Sequence, residues 1–179
     1  MKFSPFPELI SNRLILRSIK ESDCDTILFL RSDMEVNKFI QRPEHRQTNT
    51  KSDALKFIKQ LSENSQNGIS ISWGITLKNE PQIIGTICLW NFSKDHKTGE
   101  VGYDLKPEFQ NKGIMNEALN LIIDFGFNKL KLYKIEAFTD HKNESSKKLL
   151  EKNRFQFIEN RKDYENTSNI IFELVNVSI

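Results

Sequence analysis

Gln110-Asn111-Lys112-Gly113-Ile114-Met115 is the stretch whose reading decides the fold of this chain. Before it, Glu100 to Leu105 reads as a strand. After it, apolar residues recur through Leu119, Ile122 and Ile123 with the spacing of a helix. A short loop that opens onto a helix N-terminus gathers several unpaired backbone N–H groups, and the helix dipole adds partial positive charge there. The guest that suits such a place is a phosphate or pyrophosphate. Gly113 lets the backbone approach such a guest with no Cβ in the way, and Gln110 and Lys112 can add side-chain donors at the rim. A single glycine before a helix also serves as an ordinary turn. Two other phosphate loops are excluded, because neither G-x-x-x-x-G-K-[ST] nor G-x-G-x-x-G with a following acidic residue occurs.

Working outward, the chain alternates strand-like and helix-like segments. Leu14 to Ile19 reads as a strand, followed by helix-start chemistry at Glu21-Ser22-Asp23 ahead of Ile27, Leu28 and Leu30. Ser52 to Leu61 reads as a helix with Leu55, Ile58 and Leu61 on one stripe. Ile69 to Leu77 and Gln82 to Phe92 are paired strands joined by the turn-like Lys78-Asn79-Glu80-Pro81. A helix from Asn116 to Lys129 leads to a strand at Lys134 to Thr139. A second, shorter helix at Glu144 to Lys152 precedes strands at Phe155 to Glu159 and Asn169 to Val175. Without a linker, repeat or low-complexity tract, residues 1–179 are expected to form one mixed α/β domain.

Four segments resemble the GNAT superfamily of N-acetyltransferases. Gln110 to Met115 is similar to its Q/R-x-x-G-x-G/A pyrophosphate loop, and Asn143 to Phe155 to its N-x-x-S-x-x-L-L-E-K-x-G-F segment. Gly99-Glu100-Val101-Gly102-Tyr103-Asp104-Leu105 resembles the E-I/V-G-Y strand of the branch that acetylates ribosomal-protein N-termini. Ser11 to Arg17 is similar to that branch's T-x-R-L-x-L-R strand. The chain departs from the pattern twice: Met115 stands where Gly or Ala is usual, and Arg154 where Gly is usual.

The resemblance implies an α/β (α+β) fold: a mixed, mostly antiparallel sheet of about seven strands with about four helices, splayed between the fourth and fifth strands. It implies acetyl-CoA as co-substrate, held by Gln110, Asn111, Lys112, Gly113, Ile114 and Met115. The thioester carbonyl would lie at the strand edge Tyr103-Asp104-Leu105. It implies acetyl transfer to a primary amine by direct attack, most closely to a protein N-terminal amine. The alternatives are acetylation of a small amine, such as a polyamine or an antibiotic, and a non-catalytic acyl-CoA-binding module.

The chemistry needs an amine that loses a proton, a donor for the oxyanion, and a proton for the departing thiolate. Glu100 is the candidate base; on position alone it also reads as a surface strand glutamate. Ser146 is the candidate proton donor. Asn143 would orient it or touch the pantetheine arm. Leu150 occupies the place where many relatives carry a tyrosine, and cannot donate. Asn143 and Ser146 also read as a plain helix cap. Trp73, Trp90 and Phe92 could line an acceptor pocket, although strand aromatics are more often core.

Composition bounds the rest. The net charge of +2 compels no nucleic-acid partner. His45, His96 and His141 stand apart from one another and from any cysteine, so no metal is expected. Cys24 and Cys88 suit a reducing, cytoplasmic setting. Met1 to Pro7 lacks the apolar run of a signal peptide, and no segment approaches the ~20 apolar residues of a membrane span. Either a monomer or a homodimer fits. The run from Lys38 to Lys59, rich in Lys and Arg, reads as a solvated face; the resemblance implies that acceptor specificity resides near it, and a basic lip there disfavours polyamine or aminoglycoside acceptors.

Overall fold

The alternation of apolar residues along the strand segments builds one sheet, seen in a computed structural model that describes residues 3–177. Met1 and Lys2 of the Met1–Pro7 stretch lie outside the described residues. The strands are β1 (Leu9–Ile10), β2 (Leu14–Ser18), β3 (Ile71–Leu77), β4 (Ile83–Trp90), β5 (Thr98–Leu105), β6 (Lys134–Asp140), β7 (Gln156–Phe157) and β8 (Asn169–Val175). They lie in the order β1-β2-β3-β4-β5-β6-β8-β7, with every neighbour antiparallel except β5 and β6. The helices are α1 (Cys24–Ser32), α2 (Lys51–Gln66), α3 (Ile114–Asp124) and α4 (Glu144–Lys152). The expected mixed α/β architecture is thus present, with the short β1 added at one edge.

Two apolar clusters hold the layers together. The larger joins Leu14, Leu16, Trp73, Ile87, Leu89 and Val101 of the sheet to Leu119 and Ile122 of α3 and Leu150 of α4. The smaller joins Ile27 of α1, Ala54 and Ile58 of α2, and Ile83 of β4. A bulge makes this split possible. The β3–β4 register passes from Ile75↔Gly85 to Thr76↔Ile83, leaving Ile84 as the extra residue. One extra residue reverses the alternation, so Ile84 enters the larger cluster and Ile83 the smaller.

Details of packing correct several expectations. In α2 the apolar stripe is not Leu55, Ile58 and Leu61. Leu55 is 41% exposed, and Ala54 and Ile58, one helical turn apart, face the core. Thr50 and Asp53 cap that helix reciprocally. The helix expected to run to Lys129 changes at Phe125 into a π turn over Phe125–Lys129, closed by Leu130 N–H donating to Phe125 O at 3.0 Å. Trp73 is core: it is fully buried, set edge-on to Phe125 at 5.3 Å, and donates from Nε1 to Pro7 O at 2.7 Å.

Arg154 takes the left-handed conformation at the end of α4, with φ 66°. Phe155 N–H donates to Leu150 O at 3.0 Å and Arg154 N–H to Glu151 O at 2.9 Å. This is the two-bond helix ending that normally uses glycine at this position. The turn keeps its form, and a side chain is held where a Cβ is unfavourable by ~1–2 kcal/mol. Arg154→Gly should therefore raise the melting temperature by roughly 2–4 °C, the shift that ~1 kcal/mol gives a domain of this size. A scan showing no rise would mean that the Arg154 side chain makes compensating contacts.

The sheet opens in its middle. β5 and β6 pair at only three positions, Thr98↔Lys134, Gly99↔Ile135 and Glu100↔Glu136. From Val101 onward β5 keeps only β4 as a ladder partner, while β6 stays paired with β8 along its whole length.

Candidate active site

The parting of β5 from β6 makes a cavity of about 530 Å³. Its floor is Val101 to Leu105 of β5 and Ala137 to Asp140 of β6. Residues of the loop before α3, the first turns of α3 and α4, and the Glu35–Gln41 segment between α1 and α2 form its walls. The cavity brings together Tyr103, Asp104, Leu105, Gln110, Asn111, Gly113, Ile114, Met115, Asn143 and Ser146. Glu100 and Lys112 are not among the lining residues.

The antiparallel ladder decides which β5 groups are free. Lys106 N–H donates to Ile84 O at 2.9 Å. In this register alternate residues turn their backbone groups toward β4. Gly102 and Asp104 therefore spend their N–H groups on the ladder, whereas Tyr103 and Leu105 direct theirs toward the opening. Leu105 O is satisfied by Gln110 Nε2 at 3.0 Å. The Gln110 side chain thus ties the loop to the strand end.

Loop geometry follows from two left-handed residues, Asn111 at φ 58° and Gly113 at φ 73°. Such turns aim successive N–H groups at one point. The loop is clamped from the turn that precedes β2. Arg13 donates from Nη1 to Lys112 O at 3.1 Å and pairs through Nε with Glu117 Oε2 of α3 at 2.7 Å. Ser11 Oγ donates to Glu117 Oε1 at 2.6 Å. Met115 is partly buried against the larger core cluster and also lines the cavity.

Across the opening, Tyr103 Oη and Ser146 Oγ are 2.9 Å apart. Asn143 Oδ1 accepts from Ser146 N–H at 3.1 Å, capping α4. Two hydroxyls sharing one hydrogen bond use one proton between them, which leaves the other free to donate. Burial pushes the Tyr103 phenol up to about 12, against a smaller opposing effect of its bond to Ser146, so it keeps its proton at neutral pH.

Glu100 sits at the closed end of the opening. Its carboxylate accepts from Asn91 Nδ2 at 3.2 Å. Burial pushes it up to about 7; the Asn91 bond opposes this, and the charges of Glu136, Asp163 and Glu165 add to it. Glu136 differs, although it too is buried: Arg161 and Lys134 outweigh burial and hold its carboxyl below the usual range.

Asp104 carries a side chain that sequence reading had passed over in favour of its backbone. It faces the side of the sheet away from Tyr103 and accepts from Thr86 Oγ1 at 2.7 Å and Thr86 N–H at 3.1 Å. Burial raises its pKa, against the pull of Thr86, Arg42 and Arg31. The signal available in sequence was an aspartate inside a strand, where it is disfavoured. Burial pushes the Cys88 thiol, beside Gly102, up to about 12. Among the described residues, no group of three or more His, Cys, Asp and Glu side chains is placed to hold a metal ion. Among the described residues, no helix is long and apolar enough to cross a membrane.

Comparison with known proteins fits this geometry. The family model "Acetyltransferase (GNAT) domain" matches residues 13–156. The uncharacterized N-acetyltransferase YoaA of Bacillus subtilis is 32% identical over 151 residues, 84% of each chain. The crystal structure of ribosomal-protein-S5-alanine acetyltransferase from Vibrio fischeri superposes with a TM-score of 0.81 at 28% identity, covering 96% of this chain and 97% of that one. The fold is also that of the microcin C7 self-immunity acetyltransferase MccE in complex with acetyl-CoA and AMP, with a TM-score of 0.76 at 21% identity over 93% and 94% of the two chains.

Proposed function

The chain belongs to the acetyltransferase (GNAT) domain family, and from that we propose that it moves an acetyl group from acetyl-CoA to a protein N-terminal amine. The observation that carries this reading is the cavity at the parted strands, with the helix-start loop at one end and the Tyr103–Ser146 hydroxyl pair within it. The V. fischeri relative, named for alanine acetylation of a ribosomal protein, supports an N-terminal acceptor. Two free cysteines support a cytoplasmic location. In this proposal residues 1–179 act as one domain.

The pyrophosphate lies on the amides of Asn111 to Met115, with Gly113 giving it close approach. The thioester carbonyl accepts from one of the two β5 N–H groups aimed at the opening, Tyr103 or Leu105, whose bond strengthens as negative charge develops on oxygen; two residues apart on an extended strand, they cannot share one oxygen. The amine enters from the Asp104 face. An α-amine needs little help, since its pKa near ~8 leaves a useful neutral fraction at pH 7. Glu100 takes the proton through water from its place at the closed end. The nitrogen attacks the carbonyl carbon, the C–S bond breaks, and the thiolate takes the free proton of the hydroxyl pair through Ser146.

Ser146→Ala should slow acetyl transfer by ~10-fold. A thiolate of pKa near ~8.5 is already a fair leaving group, so the defect falls below the range usual for an acid catalyst. Melting temperature is measured alongside, because Asn143 caps the helix at this residue. Wild-type turnover in a variant with lowered stability would leave Ser146 a structural residue. The whole proposal is tested by thiol release from acetyl-CoA over a panel of N-terminal peptides and small amines. Release with peptides supports it, and CoA binding without turnover on any amine would refute it.

A further inference from the structure

The segment between α1 and α2 and the helices that flank it bring three arginines, Arg31, Arg42 and Arg46, to the acceptor side of the parted strands. We propose that they read an anionic group carried close to the acceptor's amine, so that the favoured substrate is an acidic amine. This inference rests on the acetyl-transfer reading above and adds the class of acceptor to it.

The arginines are placed, not loose. Arg31 donates from Nε to Thr48 Oγ1 and from Nη2 to Arg46 O, both at 2.7 Å, and its guanidinium lies 3.7 Å above the Phe57 ring. Arg42 donates from Nη1 to Asn37 Oδ1. The Arg46 guanidinium stands 5.8 Å from the Trp90 ring. Arg42 directly follows Gln41, which lines the cavity, and Trp90 neighbours Gly102, which also lines it.

Their charge is short of partners. Arg13, Arg17 and Arg161 each form an ion pair, whereas among the described residues none of these three does. The carboxylate that acts on both Arg31 and Arg42 is Asp104, and it is bonded to Thr86. Burial, with the charges of Arg42 and Arg46, lowers Arg31 to about 10 despite Asp104. Arg31 and Arg42 share that one carboxylate and Arg46 adds its charge to both, an unfavourable arrangement unless an anion joins them. The guanidinium fork matches carboxylate and phosphate oxygens. Glu35 and Glu44 lie on the same segment; both are exposed, and among the described residues neither forms an ion pair with an arginine. A polycationic acceptor would meet repulsion here.

The test compares kcat/KM for N-terminal peptides with glutamate, glutamine or lysine at the second and third positions, with spermidine and free glutamate as small-amine arms. The glutamate peptide should exceed the glutamine peptide by about tenfold or more at low salt and the lysine peptide by a wider margin, with the gap narrowing as salt rises. Arg42→Met and, separately, Arg46→Gln should pull the glutamate-to-glutamine ratio toward one; two sites guard against a variant that fails to fold. Acetylation of free glutamate but no peptide would support the anion-reading site and reassign the acceptor's size. Equal rates for all peptides, or a preference for lysine or spermidine, would overturn this inference and leave acetyl transfer standing. No turnover on any amine would overturn both.

Discussion

Glu100→Gln should lower acetyl transfer at neutral pH by ~10², the low end of what a general base contributes, because this carboxyl works through water rather than from the cavity wall. Wild-type kcat/KM should fall as pH drops through about 7, where burial places this carboxyl. The variant should keep only the limb that belongs to the acceptor amine, so its defect shrinks as pH rises above ~8. Stability should move the other way. The unfolded glutamate titrates near ~4.3, and the folded one near about 7. Between those values the folded state holds a proton that the unfolded state has lost, so stability falls as pH rises through the window. Glutamine has no such penalty. The variant should therefore melt higher than wild type at pH 8, with the difference vanishing near pH 4. Equal turnover near pH 7 would leave Glu100 a strand glutamate with no part in the chemistry.

Gly113→Val should raise the KM for acetyl-CoA by ~10² and abolish the thermal shift given by CoA. Gly113 has φ 73°, a conformation unfavourable for any Cβ by ~1–2 kcal/mol and worse for a branched one. The Arg13 guanidinium lies 3.5 Å from where the Cβ would stand, so the new side chain also presses on the clamp that holds Lys112. Displacing the loop amides forfeits charge-assisted bonds worth ~1.5–3 kcal/mol each, and one or two of them account for the effect. Turnover at saturating acetyl-CoA should fall much less. A variant with unchanged KM would show that the pyrophosphate does not use this loop.

Much of this architecture could be read from periodicity and local chemistry. The Glu144 to Lys152 helix ends where its cap residues place it, and the Lys134 to Thr139 and Asn169 to Val175 strands differ from the structure by a residue at most. β1 escaped because two residues carry no period, and Ile10 is 60% exposed. The Leu55 stripe failed because a three-residue step drifts off a helix face that Ala54 and Ile58 hold. The loop residues and the Asn143/Ser146 pair were legible because each sits at a helix start, where sequence and geometry are tightly linked. The Tyr103–Ser146 bond, the Arg13–Glu117 clamp and the arginine cluster join residues 43, 104 and up to 15 positions apart. They depend on how the sheet parts and how the α1–α2 segment folds over it, and local pattern carries neither.

Residue-resolved amide hydrogen exchange with and without acetyl-CoA tests the central claim most directly, that the donor occupies the gap between β5 and β6. Saturating acetyl-CoA should slow exchange at Asn111 to Met115 and at Tyr103 and Leu105, the β5 amides aimed at the opening. Asp104, whose N–H already serves the ladder to β4, should change far less. Protection confined to other elements, or no protection in folded protein at millimolar acetyl-CoA, would contradict the account.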